Sequence, residues 1–236
     1  MLKATIKHWL GIGQKKYDVG LWESGLAPEV LQDVYDKQGW EGRAGEYRHR
    51  SVERLVANID SLYRQLGRPV TLLDVACFSG DYFGQLMQHQ DMAKMLKYTG
   101  ADVTPKYVGN CKRRWAAYPN ATFQVGSALS LPFPDRSFDI VFNSGMLIHI
   151  DDAAGAIGEF IRVASRMVLI QTTVDKDQKP KFIDENKSGP KFIDRIYRYD
   201  YIRDLIAERA RIVAAVEVPA PPDYTHLSVL FEANVI

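Results

Sequence analysis

The chain has 236 residues, 46% of them apolar and 25% charged, which suffices for one α/β domain with additions around an ordinary core. Its 30 Lys and Arg nearly balance 29 Asp and Glu, leaving a formal charge of +1 that excludes a molecule-wide field toward nucleic acid or anionic lipid. Two cysteines are too few for a disulfide framework, no apolar run approaches the roughly 18 residues of a membrane span, and no secretory leader is recognisable, so a cytoplasmic protein is expected.

Leu2, Ile6, Trp9 and Leu10 fall on one helical face, read as docking on the chain's own domain or on a second subunit in a homodimer. A helix is expected over 28–37, with Pro28 in its first turn. A longer one carries Val52, Leu55, Val56, Ile59, Leu62, Tyr63 and Leu66 as an apolar stripe, ended by Gly67 and Pro69. The pattern then alternates. Strands are predicted at 70–76, 98–103, 122–125, 138–143 and 167–173, with helices at 81–97, 106–117 and 153–165, which argues for right-handed crossovers and a parallel sheet covered on both faces. After a polar segment over 175–194, with its echo Pro180-Lys181-Phe182-Ile183-Asp184 and Pro190-Lys191-Phe192-Ile193-Asp194, a helix is expected over 195–209. Strands over 212–218 and 226–235, with no helix between them, should pair antiparallel. A polar segment of this length is more often functional than idle, and a lid is expected there.

The chemistry concentrates at strand ends. Asp74 closes the apolar part of the first strand, and Gly80, six residues on, supplies a position without Cβ in the turn that follows. Asp102 lies 22 residues after Gly80 at the end of the next strand, which suits a carboxylate holding ribose hydroxyls or capping the following helix. No His, Cys or carboxylate cluster has metal-ligand spacing, and no metal is expected.

Leu73-Asp74-Val75-Ala76-Cys77-Phe78-Ser79-Gly80 resembles the glycine-rich first motif of class I S-adenosylmethionine-dependent methyltransferases. The resemblance continues through Gly100-Ala101-Asp102-Val103, Gly126-Ser127-Ala128-Leu129-Ser130-Leu131-Pro132-Phe133, Ser137-Phe138-Asp139-Ile140-Val141-Phe142 and Met146-Leu147-Ile148-His149-Ile150. It covers about residues 70–175 and is closest to the small-molecule, domain 11-like type. It implies an α/β fold, a Rossmann-like doubly wound seven-stranded sheet, mostly parallel with an antiparallel C-terminal strand. Residues 1–66 would form an N-terminal helical extension, and 67–236 the cofactor-binding domain.

The resemblance also implies roles. Ala76, Cys77, Phe78 and Gly80 would lie under the methionine and ribose of S-adenosyl-L-methionine, with Asp74 near its amino group. Asp102 would hold the ribose, Val103 would pack on the adenine, and Ser127 and Ala128 would border its edge. Asn143 and Ser144 would offer carbonyls to the ammonium, while Tyr47 and either Arg48 or Arg50 would meet the carboxylate. Two departures stand out: the family prefers glycine where Ala76 and Phe78 stand, and an acid where Ser127 stands. Phe78 is expected to keep negative φ, with its ring as a pocket wall.

His149, just past the fourth strand, is the expected catalytic base if the acceptor is a hydroxyl; otherwise it bonds a backbone carbonyl. The function expected is methyl transfer to a small-molecule acceptor, at oxygen of a sugar, glycan precursor or secondary metabolite, with no nucleic-acid partner. The alternatives are N- or C-methylation of a small molecule or macromolecule, a nicotinamide-dependent oxidoreductase, and a non-catalytic interaction module of the same fold.

Overall fold

The computed structural model describes residues 42–175, 181–184, 193–218 and 226–236. The Leu2–Leu10 stripe, the helix expected over 28–37 and most of the polar 175–194 segment lie outside them.

Helix α1 (Gly42–Leu66) begins well before the apolar stripe, so Tyr47 and Arg48 are helical. Strand β1 (Val70–Val75) follows, then the short helices α2 (Asp81–Leu86) and α3 (Met92–Met95), and β2 (Leu96–Asp102). The single helix expected over 81–97 is therefore broken: Asp91 takes φ 62 between its two pieces, and Leu96 already belongs to the sheet. Next come α4 (Pro105–Arg114), β3 (Ala121–Val125), β4 (Phe138–Ser144), a 3-10 turn (Leu147–His149), α5 (Ala153–Val163) and β5 (Ala164–Asp175). The described chain ends with β6 (Lys181–Asp184), β7 (Ile193–Arg198), α6 (Tyr199–Ala207), β8 (Ala210–Val218) and β9 (His226–Val235).

Five strands run parallel in the order β3-β2-β1-β4-β5, and β9 lies antiparallel on the far edge of β5 with β8 outside it. That makes the expected seven-stranded sheet. The polar segment adds two strands that composition did not reveal. Antiparallel β6 and β7 pair, and β7 joins β5 at Val174 and Asp175, three residues beyond the last β4 partner, Gln171. The hairpin thus extends past the end of β4, and β7 packs against the 3-10 turn. The helix expected from Arg195 starts only at Tyr199 for this reason.

The sheet is apolar on both faces. One face packs Leu73, Val75 and Val141 against Ile157, Phe160 and Ile206 from α5 and α6. The other packs Leu72, Phe142 and Leu169 against Leu55 and Ile59 of α1 and Phe83 of α2. Helix α1 is also tied to the C-terminal strand: the Arg54 guanidinium makes two bonds to Glu232, a carboxylate only 1% exposed. At the opposite end of the sheet from the candidate site, Asp139 accepts two bonds from Arg68 and further bonds from the Thr71 N–H and hydroxyl. Burial alone would raise its pKa, but these bonds outweigh it and bring the carboxyl to about 2. Asp139, though part of a recognisable motif, is thus a structural acid that ties β1 to β4.

Strand order reverses between β1 and β4, because the chain moves outward through β2 and β3 and then returns to the other side of β1. A crevice opens at such a reversal, outside the carboxyl ends of the strands.

Candidate active site

The turn after β1 crosses the top of that crevice. It contains three residues at positive φ: Ala76 at 60, Phe78 at 52 and Gly80 at 72 degrees. Phe78 was expected to keep negative φ; it does not. The turn takes the backbone shape that glycines adopt freely, although two side chains with Cβ stand in it, at about 1–3 kcal/mol each. The ring of Phe78 packs edge-on against Tyr107 in α4, with centroids 4.3 Å apart. At Gly80 even one added carbon would lie 2.6 Å from Trp115 Nε1, so this position admits only glycine without rearrangement.

Asp102 stands at the end of β2, 6% exposed. Its Oδ2 accepts the Phe78 N–H at 3.0 Å and its Oδ1 the Thr104 N–H at 2.9 Å. The Thr104 hydroxyl bonds the same carboxylate. Each carboxylate oxygen has two acceptor positions, so one remains for a ligand hydroxyl. Burial pushes its pKa up, opposed by the two N–H donors and the Thr104 hydroxyl. Val103 lies half-buried beside it.

Asp74, expected near the amino group, is bonded within the protein. Its carboxylate is 2% exposed and takes a bond from the Tyr98 hydroxyl, 2.5 Å away, beneath the turn. Burial raises it to about 7 despite that bond, with Asp102 and Asp81 adding in the same direction. Its demonstrated partner is a side chain of β2, so it supports the turn from below.

Beyond β3 the Gly126 N–H donates to the Asp102 carbonyl at 3.0 Å, which draws the following loop to the end of β2. Ser127 Oγ accepts the Leu129 N–H, and Ala128 leans on the adjoining core. Glu159 accepts the Leu131 N–H, and Arg162 donates to the carbonyls of Leu131 and Phe133, so α5 holds this loop in place.

At the end of β4, Asn143 Nδ2 donates to the Val75 carbonyl at 2.8 Å, while its fully buried Oδ1 has no hydrogen-bond partner among the described residues. Ser144 donates to Gln171 Oε1 at 2.8 Å and lies 2.7 Å from the Tyr82 hydroxyl. A serine has one proton and an amide oxygen has none, so Tyr82 must be the donor to Ser144. The phenol oxygen of Tyr82 is left as an acceptor. Burial pushes this phenol above its ordinary range.

Tyr47 and Arg48 act electrostatically on Tyr82 from α1. Arg50 lies instead on the exposed face of that helix, within 3.9 Å of Glu46, so Arg48 is the residue turned toward the site. His149 sits half-buried on the 3-10 turn, its N–H bonded to the Met146 carbonyl. That turn is braced from β7: Tyr197 donates to the Ile150 carbonyl at 2.6 Å, and Arg195 pairs with Asp151 at 2.5 Å.

The sequence pointed to the strand ends and missed the residues behind them. Tyr82 was detectable from its place in the first turn after Gly80, and Gln171 from being polar within a buried apolar run. Nothing local marked Tyr98, Cys111 or Trp115. Among the described residues, no group of three or more His, Cys, Asp or Glu side chains could hold a metal ion.

Turn, acid and loop meet at the carboxyl ends of β1 and β2, and residues 73–167 match the family described as Methyltransferase domain. This is a class I methyltransferase domain. Ajmaline N-methyltransferase of Rauvolfia serpentina is 26% identical to it over 170 residues, covering 69% of this chain and 57% of that protein. Demethylmenaquinone methyltransferase of Chlorobaculum tepidum is 35% identical over 98 residues, covering 41% of this chain and 37% of that protein. The chain therefore spans only part of the curated relatives it matches. In fold, the methyltransferase domain resembles magnesium protoporphyrin IX methyltransferase of Synechocystis PCC 6803, solved with bound SAH. The TM-score is 0.64 at 16% identity, covering 93% of this chain and 100% of that one. No described helix is long and apolar enough to cross a membrane.

Proposed function

We propose that the protein is an S-adenosylmethionine-dependent methyltransferase acting on a small molecule, with a hydroxyl of a sugar, glycan precursor or secondary metabolite as the methyl acceptor. The observation that carries this reading is the turn after β1, held in a glycine-like shape beside a carboxylate with one spare acceptor position. The donor set fits the cofactor: Asp102 for a ribose hydroxyl, the Gly126–Ala128 loop beside it for a base, and Tyr47 and Arg48 toward its amino-acid end.

When bound, the cofactor supplies a methyl group on a sulfonium. The protein's part is to hold the acceptor in line and exclude water, and positioning alone can contribute roughly 7–11 kcal/mol. His149 is the base that takes the acceptor's proton, on a turn fixed by Tyr197 and Arg195. The β6–β7 hairpin is the cover, because it rises beyond the end of β4 beside that turn. The named relatives act at nitrogen and on a quinone precursor, so nitrogen and carbon acceptors form the second reading.

Titration calorimetry with S-adenosylmethionine, S-adenosylhomocysteine and NAD tests the assignment. Binding of the two sulfur nucleosides and not of NAD is expected. Heat from NAD alone would move the protein to the oxidoreductases, and heat from none of the three would leave an interaction module.

A further inference from the structure

The strained turn is held chiefly from one direction. Cys111 Sγ donates to the Phe78 carbonyl at 3.1 Å, and Trp115 Nε1 to the next carbonyl, that of Ser79, at 3.2 Å. Tyr107 bears on the Phe78 ring, and the Trp115 ring closes over Gly80 and Gly84. Tyr107, Cys111 and Trp115 follow one another at intervals of four, so they form a single stripe on α4 and its C-cap. Asp102, immediately before that helix, grips the Phe78 N–H from the other side. Cys77, the other cysteine, is buried next to Cys111, and its N–H bonds the Ala101 carbonyl.

We propose that this stripe is a clamp that imposes on Ala76–Gly80 the shape glycines would otherwise allow, with Cys111 and Trp115 as positioning residues for the cofactor. The inference rests on the cofactor assignment above and adds residues to it. A phenylalanine at positive φ persists only where its surroundings over-determine it. Here the surroundings are side-chain donors aimed at consecutive carbonyls: Cys111 at that of Phe78, and Trp115 with the exposed Arg114, the latter at 3.4 Å, at that of Ser79. The clamp explains how the chain dispenses with a glycine at position 78.

The test is calorimetric titration of S-adenosylhomocysteine into the parent, Cys111→Ala, Cys111→Ser, Phe78→Gly and the double variant Phe78→Gly/Cys111→Ala. Cys111→Ala should weaken binding about threefold, as expected for the loss of one thiol–carbonyl bond. Cys111→Ser, still a donor, should recover most of that loss. In the Phe78→Gly background, where the turn needs no clamp, the alanine change should alter affinity by less than about 1.5-fold. Equal losses in both backgrounds, or no loss in the first, would overturn the proposal. Trp115→Phe, which keeps an aromatic ring there and removes the N–H, repeats the test if Cys111→Ala folds poorly.

Amide hydrogen exchange over 76–80 is read on the same proteins without ligand. Faster exchange in Cys111→Ala but not in Cys111→Ser supports the clamp, and unchanged exchange defeats it. Should the parent bind no S-adenosylhomocysteine, the cofactor assignment fails, and the clamp is decided by exchange alone.

Discussion

The two turns that meet at the crevice are held in different ways. The one after β1 is fixed by its own sequence neighbourhood: β2 and α4, the next elements of the same winding, supply Asp102, Cys111 and Trp115. The one after β4 is fixed from outside, by Tyr197 and Arg195 of a strand that enters some fifty residues later. The first lies wholly within the segment that matches the methyltransferase family, and the braces of the second lie beyond it. The family segment thus holds the first turn by its own winding, and the turn that carries His149 is supported by an addition.

The sharpest way to break this contrast is Asp102→Ala. It removes a charged acceptor from two backbone N–H groups and from the ligand, so affinity for S-adenosylhomocysteine should fall about 100-fold by calorimetry, with the far-ultraviolet circular dichroism retained. A fall below about threefold would mean that the turn holds its shape without the acid.

Asp74 gives a second test, of the support beneath the first turn. Its folded pKa of about 7 lies above the ordinary carboxylate value, so the stabilisation from its protonated form is complete below about pH 4 and is lost as pH rises through 7. Asp74→Asn should flatten that slope and raise the melting temperature at pH 8 by about 5 °C relative to the parent. Parallel melting curves across pH 4–8 would mean that the acid is ionised and paired at rest.

The smallest effect belongs to the braced turn. Tyr197→Phe should leave S-adenosylhomocysteine affinity unchanged while amide exchange over 147–151 quickens about fivefold, one hydrogen bond's worth. A change in cofactor affinity of the same size would erase the division between the two turns.

The strand ends were legible because their signals are short-range: apolar runs closed by Asp74 and Asp102, with Gly80 in the turn after the first. The terminal antiparallel pair was legible for the same reason, from two strand patterns separated in sequence only by a short proline-rich stretch. The conformation of Phe78 was not, since its partners Asp102 and Cys111 lie 24 and 33 residues away. Residue type at position 78 argues for negative φ, and tertiary bonding overrides it. The break in the 81–97 helix was hidden because Met92 and Leu96 continue an apolar spacing that suits either a helix or the approach to a strand. Arg195-Ile196-Tyr197-Arg198 reads as the start of a helix until the edge of β5 makes it a strand.

The way β7 joins β5 also bears on how such a chain changes over time. The hairpin borrows only the last two positions of β5 on that edge, while β4 holds the same edge lower down and β9 runs along the whole opposite edge. The main sheet thus does not depend on it, and lengthening, shortening or exchanging the hairpin leaves every ladder of the seven-stranded sheet in register. If the hairpin covers the site as proposed, selection can redraw what is accepted there as if swapping a cassette, without reopening the question of whether the domain folds.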